Sequence, residues 1–338
     1  MKAKGKEQRA ESKGQGAKRN LFPLGSLPLA LCSWRLALCP LLLALCPLLF
    51  AFGQGLPRVA VVDLVGDDRG EIAALVRASA REFNLIDEEQ TRAAVRGAGY
   101  SGSLNLSLDE ARALGMSIGC EFYILGKVQV ARRIVSATAF YYEALAGLFF
   151  VETRGGRLVH FAFERTQAND EAAARAQLAE LIKQGWGRSA GAVMAARDRS
   201  LSEAEAPTRP PGEVIEVFTD ETAGKSARQP IFYQRLKPAY TEEAGLVGLT
   251  ATVELEAVFR DDGRVGEVEV VRWAGFGLDE AALATVRQLK FKPAERDGRP
   301  LTIRALVRYN FRRPPSAAER KEEAERLKRS LQKIRKEK

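Results

Sequence analysis

Thr252-Val253-Glu254-Leu255-Glu256-Ala257-Val258-Phe259 alternates apolar and polar side chains with period two. That period predicts a half-buried strand with Val253, Leu255, Ala257 and Phe259 on one face and two carboxylates on the other. Asp261-Asp262-Gly263 supplies turn chemistry, because Gly and Asp tolerate the positive φ of a hairpin loop, and Val265 to Val271 alternates again. Past Gly275-Phe276-Gly277, the residues Leu278, Ala282, Val286 and Leu289 recur at helical spacing. Phe291-Lys292-Pro293-Ala294 ends that helix, since proline disfavours a helical conformation in the residue before it. After the turn Asp297-Gly298-Arg299-Pro300, a last strand from Leu301 to Phe311 sets Ile303, Ala305, Val307, Tyr309 and Phe311 on one face and Arg304, Arg308 and Asn310 on the other.

This order resembles the C-terminal domain of TonB-family energy transducers over residues 231–312. The resemblance is carried by Lys237-Pro238-Ala239-Tyr240, Gly248, Asp262-Gly263, Gly277-Leu278-Asp279-Glu280-Ala281-Ala282, Phe291-Lys292-Pro293-Ala294, and Asp297-Gly298-Arg299-Pro300 before Tyr309-Asn310-Phe311. The chain departs at Thr241, where the family usually has proline, and between Ala244 and Gly245, which trims nearly a turn from the first helix. The resemblance implies a non-enzymatic envelope protein in which an extended peptide of an outer-membrane partner pairs with an exposed strand edge. Arg304, Leu306, Arg308 and Asn310 are then the expected partner contacts, with the segment around Lys237 and Tyr240 as the other candidate. The arginine face has two readings of equal weight: attraction of acidic residues on the peptide, or ordinary protection of an edge strand.

The formal charge of +9 invites a nucleic-acid reading, so its location decides. Residues 1–20 hold seven Lys/Arg against two Glu, and residues 312–338 hold eleven against five, which leaves the rest slightly acidic. A nucleic-acid binder carries its charge as a patch on the folded domain, so no nucleic-acid partner is expected.

Residues 1–35 read as a basic, disordered leader and residues 36–53 as a hydrophobic signal or membrane anchor. The apolar run is at the lower limit for a span, and Ala51-Phe52-Gly53 offers small residues for a signal peptidase; a retained anchor and a cleaved signal both stand. Either outcome places the remainder in the periplasm, with the inner membrane as the site of any anchor. Cys32, Cys39 and Cys46 recur every seventh residue inside this segment, among side chains that supply no further ligands.

Residues 57–202 read as an α/β domain in the order β-α-β-α-α-β-β-β-α, opening on the continuous apolar strand Val59-Ala60-Val61-Val62. Asp87 with Gln90, and Ser107 with Glu110, fit helix capping, and Asn169 is the expected cap of a helix running through Ile182. Phe83-Asn84-Leu85-Ile86-Asp87, the Gly119 to Lys127 stretch and Gly155-Gly156-Arg157-Leu158-Val159 loosely resemble exported α/β domains of the CsgG, LpoB and TolB N-terminal type, over residues 57–185. The fold class expected is therefore α+β with two exported domains. Residues 203–229, rich in Pro and Glu, form a linker to the TonB-like domain at 230–312, and residues 313–338 form a charged helical tail in which Ser316 and Glu319 offer a capping box. Within the linker, Val214 to Phe218 has the composition of a short strand.

Catalytic chemistry finds little support. The single histidine, His160, sits in a strand and reads as structural. Asp63, Asp67 and Asp68 follow a strand end, but no base, nucleophile or phosphate loop accompanies them, so they read as surface loop acids. Asn105-Leu106-Ser107 matches a glycosylation sequon, and a chance match is the better reading. No catalytic residue, metal site or cofactor is expected. Two functions remain in competition: an energy-coupling or partner-contacting envelope protein, and a periplasmic adaptor that keeps the TonB-like fold without energy coupling.

Overall fold

The computed structural model describes residues 55–136, 139–205, 216–217, 227–315, 320–322 and 324–329. The leader, the hydrophobic segment with its three cysteines, most of the linker, and the Ser316–Glu319 capping box lie outside the described residues. Among the described residues no helix is long and apolar enough to cross a membrane. The described residues from Leu56 onward form one compact unit.

Its first half follows the expected order: β1 (Arg58–Val61), α1 (Glu71–Ser79), β2 (Asn84–Leu85), α2 (Glu88–Gly97), α3 (Leu108–Ile118), β3 (Phe122–Ile134), β4 (Phe140–Glu152), β5 (Leu158–Ala168) and α4 (Glu171–Glu205). The strands make a mixed sheet in the order β2-β1-β3-β4-β5, parallel at its first three members and antiparallel beyond. The α+β reading is borne out. The capping box at Ser107 and Glu110 closes reciprocally, and the Asp87 carboxylate accepts from the Glu89 and Gln90 amides. Asp170, not Asn169, caps α4: its Oδ1 accepts from Ala173 N over 2.8 Å, the reach a side chain has to the third amide beyond it. The helix also runs well past Ile182, burying Trp186, Ala190, Val193 and Ala196 on one stripe.

The second half contains β6 (Glu216–Val217), β7 (Ala227–Arg228), β8 (Ile231–Phe232), α5 (Glu242–Leu246), β9 (Ala251–Phe259), β10 (Val265–Arg272), α6 (Leu278–Arg287), β11 (Phe291–Lys292), β12 (Ala294–Arg296), β13 (Arg299–Leu301) and β14 (Ile303–Phe311). Its main sheet runs β10-β9-β14-β6. Gly263 turns the hairpin at φ 80°, and β9 buries Val253, Leu255, Ala257 and Phe259 as its alternation predicts. Thr241, the departure from proline, is the N-cap of the five-residue α5, accepting from Ala244 N and donating to the Phe276 carbonyl over 2.5 Å. Residues 320–322 and 324–329 are helical, with Leu327 exposed.

The five-stranded sheet has two unlike faces. One packs on α1 and α4 through Val59, Ile124, Leu148, Phe150, Leu178 and Trp186. The other face joins a single core shared with the second half, from Tyr123, Leu145 and Phe149 through Trp273 and Phe276 to Val253, Leu255 and Leu278. Phe276 is the plug of this junction. Its ring lies 4.9 Å from Phe161 and 5.7 Å from Phe149, and the Trp273 ring lies 5.6 Å from Phe149. Phe276 adopts φ 53° between Gly275 (φ 69°) and Gly277 (φ 73°), a left-handed run that costs about 1–2 kcal/mol at the one residue with a side chain. A Cβ on Gly275 would stand 2.4 Å from the Phe149 ring, so the close approach requires glycine there.

Candidate functional site

The polar ladder of β14 is satisfied by β9 along its whole length, from Ile303 opposite Phe259 to Phe311 opposite Ala251. On the far side β6 covers only the start, pairing Glu216 with Ile303 and Val217 with Arg304 in parallel. From Ala305 to Phe311 the outer edge has no strand partner among the described residues. Unpaired amides and carbonyls on such an edge are a template for one more strand.

An apolar groove of about 750 Å³ borders that edge, lined by residues 229–236 without Tyr233 on one side and by Ala305 to Tyr309, Phe259 and Leu289 on the other. Ile231, Phe232 and Leu306 are 58%, 39% and 53% exposed and lie together along this one groove. The ribbon between β8 and β11 holds the first of these walls in place, with Phe232 packed edge-on to Phe259 at 5.3 Å.

The outward face of β14 is less free than its sequence suggests. Arg308 donates to Glu254 directly across the sheet, at 2.6 Å, and Arg304 lies 3.6 Å from Glu256. Glu254 is shared with Arg272 at 3.4 Å and is largely covered. The arginines therefore neutralise carboxylates of their own sheet. Asn310 accepts from the Thr252 hydroxyl over 2.9 Å. Leu306 stands on the open groove. Lys237 is exposed and outside the groove, and Tyr240 is spent on structure, donating to the Ala244 and Leu249 carbonyls at 3.0 and 2.7 Å. The sequence reading missed Ile231 and Phe232; the signal was present as the apolar run Ile231-Phe232-Tyr233 directly after Pro230.

The other flagged residues are structural in place. Asp63 is bound by Arg92 at 2.8 Å and by Arg77 at 3.6 Å. Asp67 is not a surface acid: it is buried, and its Oδ2 accepts from Ala73 N inside the first turn of α1. His160 packs on Phe150, and burial, helped by Arg188, pushes its imidazole below the ordinary value. The Asn105 side chain is used up between Thr252 and Trp273. Asp279 is the most perturbed acid near the junction. Burial pushes its carboxyl up to about 7, against the amides of Gly275 and Ala274 that donate to it at 2.8 and 2.9 Å.

No curated protein matches the chain. Among solved structures, the hypothetical protein CT253 from Chlamydia trachomatis is similar at 12% identity over 42% of this chain and 99% of its own, with a TM-score of 0.31. The Pseudomonas aeruginosa TonB C-terminal domain is similar at 16% identity over 28% of this chain and 94% of its own, with a TM-score of 0.24. The LpoB C-terminal domain from Salmonella enterica is similar at 16% identity over 40% of this chain and 98% of its own, with a TM-score of 0.23. Residues 237–312, which carry the hairpin, α6 and the open-edged β14, match the family described as Gram-negative bacterial TonB protein C-terminal.

Proposed function

We propose that this is a non-enzymatic protein of the bacterial envelope that captures an extended segment of a partner protein along β14 from Ala305 to Phe311. The observation that carries the reading is the β14 edge, without a strand partner among the described residues, lying beside an exposed apolar groove within the region that matches the TonB C-terminal family. Main-chain hydrogen bonds would supply affinity, and apolar side chains at alternate peptide positions would enter the groove beside Ile231, Phe232 and Leu306. The arginines contribute little to an acidic preference, because Glu254 and Glu256 already hold them.

A photo-crosslinking side chain placed at Leu306 in the full chain, in cells, tests this reading. It should form one discrete adduct, mapping to a single extended segment of an envelope protein. The same side chain at Met116, an exposed position on α3, should not form it. Equal adducts from both positions would reject the edge as the docking site.

Energy transduction is the second reading. It is favoured by the shared core, because a pull applied to β14 would pass through Trp273 and Phe276 to β4 and β5 instead of swinging a loose module. Both readings place the protein in the periplasm, and a retained segment 36–53 would hold it at the inner membrane. Transduction requires that segment to stay on the mature chain; an adaptor does not. Removal of the segment, read by N-terminal sequencing of the mature protein, would reject transduction and leave the adaptor.

A further inference from the structure

The β3–β4 hairpin outruns the sheet it belongs to. Its ladder continues without a break from Phe122 opposite Glu152 to Ile134 opposite Phe140. The β4–β5 ladder stops at Tyr142 opposite Ala168, and the β1–β3 ladder stops at Val61 opposite Ile124. The last two pairs, Arg133 with Tyr141 and Ile134 with Phe140, therefore project beyond every neighbouring strand. At this end Ile134 is 74% exposed, Val135 70% and Phe140 44%. The Arg132 guanidinium lies 3.8 Å above the Phe140 ring.

The hairpin strands carry cations at this end, while Asp170 and Glu171 follow Ala168 at the end of the neighbouring strand. Residues 128–142 contain two arginines and no acid. The first acid, Glu143, is buried and held between Arg133 at 2.8 Å and Arg165 at 2.7 Å. Burial alone would raise its carboxyl, but those two guanidinium groups bring it below the usual range, so it stays charged and spoken for. The Ser136 hydroxyl is turned inward onto Ala139 N. Among the described residues the apex thus offers the exposed apolar side chains of Ile134, Val135 and Phe140 beside the Arg132 guanidinium.

We propose that this hairpin tip is a membrane-contact site for an anionic phospholipid surface, independent of the β14 edge. Ile134, Val135 and Phe140 enter the boundary between headgroups and acyl chains, while Arg132 meets lipid phosphate and Arg133 stays on Glu143. Exposed apolar side chains beside the Arg132 guanidinium suit that surface, because lipid phosphate supplies a counter-charge to that cation.

The test uses the full chain reconstituted in vesicles of phosphatidylethanolamine and phosphatidylglycerol, carrying Phe140→Trp. Quenching by lipids brominated on their acyl chains is read against the parent, which corrects for Trp34, Trp186 and Trp273. The expected result is additional quenched, blue-shifted emission from position 140. Replacing phosphatidylglycerol with phosphatidylcholine should lower the inserted fraction roughly fivefold, since Arg132 loses its lipid counter-charge. Adding Ile134→Asp and Val135→Asp should abolish it, with an unchanged near-ultraviolet spectrum reporting an intact fold. Solvent-like, unquenched emission from position 140 in anionic vesicles would overturn the proposal. So would quenching that survives the double aspartate variant, or protection of position 140 that arises only when another protein is added.

Discussion

Asn105 pairs with Thr252 as a neighbouring strand would, donating its side-chain amide to the Thr252 carbonyl over 2.8 Å and accepting from the Thr252 amide over 3.0 Å. It does so where the β9–β10 pairing ends at Glu254 opposite Arg272, and its second N–H reaches the Trp273 carbonyl at 2.7 Å. One side chain from the first half thereby completes the sheet of the second. Asn105→Ala should cost about 2 kcal/mol in a denaturant titration, from three interrupted hydrogen bonds. Asn105→Asp should cost more, since it sets a carboxylate against two carbonyls.

The junction should behave as core. Phe276→Ala removes the ring that fills the space among Phe149, Phe161 and Phe163, and should destabilise the protein by about 3–5 kcal/mol. Residues 56–205 and 227–315 expressed as separate chains should purify as one complex, because each leaves part of a shared apolar cluster open to water. Separate elution of two stable fragments would contradict the shared core.

How much of this was legible depended on range. The strand period of β9, the turn at Gly263 and the capping box at Ser107 are local, and each formed where the sequence placed it. The length of α4 was also written locally, in the spacing of Trp186, Ala190, Val193 and Ala196, but that stripe begins beyond Ile182 and was passed over. The docking of Phe276 against Phe149 and Phe161 is a pairing between distant segments that no periodicity encodes. The Arg308–Glu254 pair was concealed for the same reason: each residue faces outward on its own strand, and only the β9–β14 register sets them opposite.

That register changes the expected cost of reversing a surface charge. Arg308→Glu would place two carboxylates face to face, with Glu254 largely covered and only Arg272 left to offset it. A loss of about 1 kcal/mol is expected, and restoring opposite charges with Glu254→Arg should recover part of it.

Stability should fall as pH rises from about 4 to about 7, through Asp279. Its carboxyl titrates near 3.8 when unfolded, whereas burial raises it to about 7 in the folded protein. The folded state therefore holds the proton more tightly. The stabilisation is fully present below the unfolded value and is lost as the pH climbs through the folded one. The loss between pH 5 and pH 8 should be on the order of 2 kcal/mol, and Asp279→Asn should flatten that slope. An unchanged slope in the variant would assign the pH dependence to other groups.

Hydrogen exchange along β14 tests peptide capture most directly. With the crosslinked partner segment supplied as a synthetic peptide, alternate amides between Ala305 and Phe311 should slow by roughly tenfold or more, while their neighbours, already bonded to β9, change little. That alternation is the signature of a strand added at the open edge. Unchanged exchange across Ala305 to Phe311 in the presence of bound peptide would contradict docking by strand addition.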